Sequence, residues 1–163
     1  MTLPPTIGER PPGFELPNQH GELVSLDASL GASVVLVFYP FAFSRVCTDE
    51  LDELQRHLDE FGRRSAKVLA ISVDHKYALR TYADQRAYDF DLLADFWPHG
   101  AVAERYGVLD SKQGYACRTT FFIDATGVLV NRIDAPLGQG RSFDEYRTVL
   151  RNLSEPTETA PSL

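Results

Sequence analysis

The sequence predicts an α/β fold: a mixed sheet flanked by helices, preceded by a small hairpin. Three observations carry this prediction. Two β-branched runs, at 33–39 and 67–73, are separated by one amphipathic segment; a two-strand signal surrounds Ala125-Thr126-Gly127; and a Pro-rich lead-in holds a turn signal at Asn18-Gln19-His20-Gly21.

Residues 1–13 contain four prolines and two glycines, and 14–26 alternate in short stretches, so a hairpin is expected ahead of the main fold. The run Val34-Val35-Leu36-Val37-Phe38-Tyr39 is too short for a helix and apolar throughout, as in a strand buried on both faces, and Pro40 ends it. From Cys47, the apolar residues Leu51, Leu54, Leu58 and Phe61 recur at steps of three and four. Gly62 closes the run, which predicts one continuous amphipathic helix of about four turns. A second buried strand is expected at 67–73, then a helix over 76–87 and an irregular segment over 91–100. Strand, helix, strand in that order implies a right-handed parallel crossover. A short helix at 101–106, strands at 119–124 and 128–133 and a closing helix at 142–153 complete a single domain over 1–153. The small, polar residues 154–163 read as a disordered tail.

The chain has 163 residues, 16 Lys and Arg against 23 Asp and Glu, and a formal charge of -7. No basic block offsets this balance, so neither nucleic acid nor an anionic membrane is an expected partner. No apolar run is long enough to span a bilayer and the N-terminus lacks a signal-peptide pattern, which predicts a cytoplasmic protein. Two cysteines, Cys47 and Cys117, are expected as reduced thiols in that compartment. His20, His57, His75 and His99 have no spacing that makes a metal site with them, and neither a metal nor another cofactor is expected.

The chemistry centres on residues 40–47, Pro-Phe-Ala-Phe-Ser-Arg-Val-Cys, where a buried strand leads through a corner to a helix start. Free backbone N–H groups and the positive dipole end favour anions there, which is how such positions activate a thiol as thiolate. Ser44 is placed to accept from a backbone N–H, or to donate to the sulfur or to a bound oxygen substrate. The plainer reading is that Ser44 only caps the helix and that Cys47 is a small buried hydrophobe.

The pattern Pro40, three residues, Ser44, two residues, Cys47 resembles the peroxiredoxin active-site loop. Cys47-x-x-Glu50, the segment Asp-Phe-Trp-Pro-His-Gly at 95–100, and Arg118-x-Thr-Phe-x-x-Asp124 resemble in particular the AhpE-like, one-cysteine peroxiredoxins. This similarity covers most of residues 8–150. It implies a thioredoxin-like fold with an N-terminal extension, and a thiol-dependent peroxidase in which Cys47 attacks hydrogen peroxide, organic hydroperoxides or peroxynitrite and becomes a sulfenic acid. It further implies that Ser44 hydrogen-bonds the sulfur and substrate oxygens, that Pro40 shields the loop from water, that Arg118 stabilises the thiolate and the departing oxygen, and that Glu50 orients an arginine. The reductant it implies is an external low-molecular-weight thiol or small redoxin, and the assembly a homodimer with the loop side as its interface. Trp97 is expected in core or interface packing rather than against substrate.

Cys117 is the one candidate for a resolving thiol within the chain. Neighbours in an extended segment point to opposite faces, so with Arg118 turned toward Cys47, Cys117 faces away and a direct bridge would require the strand to deform. An external reductant is therefore favoured, with an intermolecular or rearranged intramolecular bridge as the alternative. A different class of function, a peroxide-sensing switch or thiol holdase using the same Cys47 without turnover, demands no change of sequence. A cysteine hydrolase would need a histidine base, and only His99 lies in the matched motifs. A disulfide reductase would need a Cys-x-x-Cys pair, which the chain lacks.

Overall fold

The computed structural model describes residues 3–136 and 138–153. The lead-in forms a hairpin of β1 (Glu15–Pro17) and β2 (Leu23–Ser25), followed by the single turn α1 (Leu26–Ser29). Asn18 makes this turn, its Oδ1 accepting from the N–H groups of His20 and Glu22. The main chain then runs β3 (Ser33–Phe38), α2 (Arg45–Arg56), α3 (Leu58–Arg63), β4 (Ala66–Ser72), α4 (Lys76–Arg86) and β5 (Asp91–Ala94). It continues through α5 (Ala101–Arg105), the two-residue strands β6 (Leu109–Asp110) and β7 (Tyr115–Ala116), then β8 (Arg118–Ile123), β9 (Leu129–Ala135) and α6 (Phe143–Leu153).

Five strands make one sheet in the order β5-β4-β3-β8-β9. β3 is central, parallel to β4 and antiparallel to β8, so the expected mixed sheet is present. Residues 34–39 are wholly inaccessible to solvent, because both faces of β3 are covered. Val35, Val37 and Tyr39 pack with Leu51, Leu54, Phe61, Leu79, Tyr146 and Leu150, which places α2, α3, α4 and α6 on one face. Val34, Leu36 and Phe38 pack with Leu16, Val102 and Tyr106, under the hairpin and α5 on the other. Each such aliphatic side chain contributes about 1.5–3 kcal/mol by leaving water.

Two expectations need correction. The continuous helix from Cys47 to Phe61 is divided at His57, whose φ of -110° and ψ of 16° end α2 and start α3. The apolar periodicity persists across the break, so the pattern alone does not reveal it. The His57 ring stacks on Phe143 at 3.9 Å, a contact with α6 that a local reading cannot contain. The second correction concerns 91–100: residues 91–94 are a strand pairing with β4, because Leu92 and Leu93 fill opposite faces of the sheet. The tail at 154–163 lies outside the described residues.

Candidate active site

The site is built where β3 ends. Pro40 is buried, the chain turns through Phe41–Phe43, and Ser44 stands at the N-cap of α2. Phe43 has a φ of 69°, the left-handed region that a bulky residue enters only at a cost of roughly 1–3 kcal/mol. The corner is therefore strained. Thr48 N–H donates to the Ser44 carbonyl at 2.9 Å, the first bond of the helix, so the amides of Arg45, Val46 and Cys47 fall in its unpaired first turn.

Cys47 is the third residue of α2 and is fully buried. Its helix face also carries Glu50, Leu51 and Leu54, all buried, at steps of three and four. Ser44 Oγ does not cap: it is buried and has no hydrogen-bond partner among the described residues. A hydroxyl left in that state costs about 1–3 kcal/mol, so the plainer reading of Ser44 as a helix cap does not account for it.

Glu50 is the electrostatic hub. Its Oε1 accepts from Arg118 Nη1. Its Oε2 accepts from the backbone N–H of Arg141 at 2.8 Å and from Arg141 Nε at 2.6 Å, and Arg141 Nη2 reaches Oε1 at 3.3 Å. Arg141 Nη1 in turn donates to the Phe38 carbonyl at 2.9 Å and to Thr120 Oγ1 at 3.0 Å. One guanidinium thus joins α2, the end of β3 and β8. Burial works against the charge of Arg141, but Tyr146, Glu50 and Cys47 outweigh it and its pKa is raised. Gly140 lets this loop close onto the helix, since a Cβ there would lie 3.0 Å from Glu50 Cγ.

The fold therefore brings Pro40, Ser44, Cys47, Glu50 and Arg118 to one corner. Cys117 is not among them: it is exposed, whereas Arg118 is buried, as the opposed directions of neighbouring side chains require. Partial burial pushes the Cys117 thiol pKa up, Asp110 and Asp134 add to this, and Arg132 opposes it. Trp97 is 81% exposed and is not core. His99 Nε2 lies 2.6 Å from the Gly114 carbonyl.

The sequence does not single out Arg141, because arginine is ordinarily a surface residue. A signal for it exists. Glu50 falls on the same helical stripe as Cys47, Leu51 and Leu54, and a buried carboxylate has room for more than one cationic partner.

A mixed sheet with a buried cysteine in the first turn of the helix after its central strand defines the thioredoxin-like class of thiol proteins. Here the corner also holds two buried arginines joined through Glu50, and the chain has no Cys-x-x-Cys. The AhpC/TSA family profile matches residues 7–132. Alkyl hydroperoxide reductase E of Mycobacterium tuberculosis is 44% identical over 124 residues, covering 76% of this chain and 81% of the relative. The crystal structure of Enterococcus faecalis AhpC superposes with a TM-score of 0.83 at 29% identity, over 93% of this chain and 92% of that one. That of the peroxidoxin BcpB from Mycobacterium tuberculosis does so with 0.81 at 31%, over 90% and 97%. The chain belongs to the AhpC/TSA family, the peroxiredoxins, and is a thiol-dependent peroxidase.

Proposed function

We propose that Cys47 reduces hydrogen peroxide and organic hydroperoxides, and also peroxynitrite, by direct attack on the peroxide bond, and that an external thiol or small redoxin completes the cycle. The observation that carries this reading is the buried Ser44 hydroxyl, without a hydrogen-bond partner among the described residues, at the start of the helix that holds Cys47. In the first step the Cys47 thiolate attacks the terminal oxygen. A sulfur–oxygen bond forms, the oxygen–oxygen bond breaks, and the departing alkoxide or hydroxide takes a proton to leave as alcohol or water, whereas peroxynitrite releases nitrite. Sulfur loses two electrons and becomes sulfenic acid; the peroxide gains them.

Negative charge moves from sulfur to the departing oxygen in this step. Ser44 donates to the reacting oxygens, Arg118, held by Glu50, stabilises the developing charge, and Pro40 excludes water. Fixed donors of this kind are each worth about 2.7–4 kcal/mol when deleted. Arg141 holds Glu50 and the end of β3 in register.

The sulfenic acid then reacts with an outside thiol, giving a mixed disulfide and water, and a second thiol releases Cys47. The exposure of Cys117 on the far side of Arg118, and the raised pKa of its thiol, favour this route over an internal bridge. The chain acts as a cytoplasmic homodimer whose interface is the loop side, where Phe41, Phe43, Phe96 and Trp97 are exposed. No helix among the described residues is long and apolar enough to cross a membrane.

The test is turnover. With peroxide in excess and a small dithiol as reductant, wild type and Cys117→Ser consume many equivalents per chain and Cys47→Ser none. Consumption that stops after one equivalent in the presence of reductant would mark a sensor instead.

A further inference from the structure

We propose that Asp74 is a positioning residue of the peroxidatic loop: its carboxylate clamps the strained corner before Ser44 closed, and so sets both the reactivity and the accessibility of Cys47. The proposal rests on Cys47 being the peroxidatic residue. Asp74 follows β4, on a different element from every residue assigned to the site. Its Oδ2 accepts from the backbone N–H of Ala42 at 2.8 Å and from Ser72 Oγ at 2.7 Å. Among the described residues, no other side chain bonds the main chain of 41–43.

That anchor meets the loop one residue before Phe43, whose φ of 69° opposes the closed corner. Phe43 is itself half exposed and leans on Tyr82, with ring centroids 4.8 Å apart, and Tyr82 hydroxyl meets Thr48 Oγ1 at 2.8 Å. The loop is thus a strained segment held by Asp74 at Ala42, by Tyr82 at Phe43 and by Tyr115, whose ring lies 5.4 Å from that of Phe41; of these, Asp74 alone bonds its main chain among the described residues. Behind it, Tyr39 is fully buried on the same face of the sheet as Cys47.

Because Cys47 is fully buried, the closed corner that favours reaction with a small peroxide hinders the approach of a bulky disulfide to the reduced sulfur. Removing the clamp should move these two reactivities in opposite directions. A merely structural role would not do so in a way that a conservative acceptor repairs.

The experiment uses full-length protein in a Cys117→Ser background, so that one thiol reports. Asp74→Ala should slow oxidation of Cys47 by hydrogen peroxide about tenfold and speed its reaction with the bulky disulfide 5,5′-dithiobis(2-nitrobenzoic acid) about tenfold, the size expected for one lost hydrogen bond to a charged acceptor. Asp74→Asn keeps an acceptor for Ala42 N–H and should return both rates to near the parent. Leu79→Ala, a buried change on α4 that also lowers stability, is the control.

Equal rates in Asp74→Ala and parent, or the same opposed pair of changes in Leu79→Ala, would overturn the proposal. A parent that peroxide does not oxidise rapidly would instead sink the peroxidase reading itself. Should Asp74→Ala not fold, amide exchange decides: Ala42 N–H protected in the parent and in Asp74→Asn supports the clamp, and exchange at an exposed loop rate in the parent contradicts it.

Discussion

Glu50→Gln removes half a carboxylate from the centre of the buried charge network. Glu50, Arg118 and Arg141 are each less than one-tenth exposed, so water cannot replace what the substitution takes away. The Gln side chain can present one oxygen, sufficient for Arg118, but its amide group then faces the backbone N–H and Nε of Arg141, two donors that now meet a donor. Breaking one side of a buried ion pair typically costs about 3–5 kcal/mol, because the remaining charge stays desolvated. For a domain of this size each 1 kcal/mol lowers the melting point by roughly 2–4 °C, so Glu50→Gln should melt about 6–20 °C below wild type. Circular-dichroism melts and urea titrations at neutral pH measure this directly. The same variant should oxidise more slowly with peroxide, because Arg141, which joins the helix of Cys47 to the end of β3, loses its acceptor and Arg118 keeps only a neutral one. A melting point within about 2 °C of wild type would refute the view that Glu50 balances two buried guanidiniums.

Ser44→Ala should slow the peroxide reaction about 10²- to 10³-fold with little loss of stability, since the hydroxyl makes no hydrogen bond among the described residues, and stopped-flow oxidation of both proteins gives the ratio. Arg141→Met should lose stability comparable to Glu50→Gln and detach the Phe38 carbonyl, read as a faster amide exchange at the end of β3. Cys117→Ser should leave both the rate and the yield of trappable sulfenic acid unchanged; a disulfide in wild type that the variant lacks would make Cys117 the resolving residue. Acid stability should depend on the link between α2 and α4. Burial raises the Asp52 pKa, but Arg86 and Tyr88 outweigh it and hold it below 3.8. A depressed folded pKa gives stability that is present above the unfolded value and lost as pH falls through the folded one, so unfolding free energy should drop below about pH 4. Arg86→Ala should flatten that slope, as urea titrations from pH 6 to pH 3 would reveal.

Much of the fold is legible because its rules are local. The apolar run at 34–39, the spacing of Leu51, Leu54 and Phe61, and the turn at Asn18–Gly21 each specify an element through periodicity or turn chemistry, and Cys47 is readable as the residue that a strand delivers to a helix start. What escapes depends on partners distant in sequence. The break at His57 follows a ring contact with Phe143, and the strand at 91–94 exists because β4 offers an edge to Leu92 and Leu93. Arg141 is 91 positions from Glu50, and Asp74 is 32 from Ala42, so no window along the chain contains either pair. The charged residues that complete the site are the ones least specified by hydrophobic pattern. The Ser44 side chain marks the opposite case: its position is plain from sequence, but only the structure distinguishes a capping hydroxyl from a buried one with no hydrogen-bond partner among the described residues.

The central claim is that one buried thiol, Cys47, takes the oxygen of the peroxide. The most direct measurement mixes reduced protein with one equivalent of hydrogen peroxide under stopped flow, following the fluorescence of the single tryptophan, Trp97, and identifying the product by intact mass after sulfenic-acid trapping. Rapid oxidation with one trapped sulfenic acid in wild type and in Cys117→Ser, abolished in Cys47→Ser, is the result expected. Slow oxidation of wild type, or oxidation of Cys47→Ser at the wild-type rate, would contradict it.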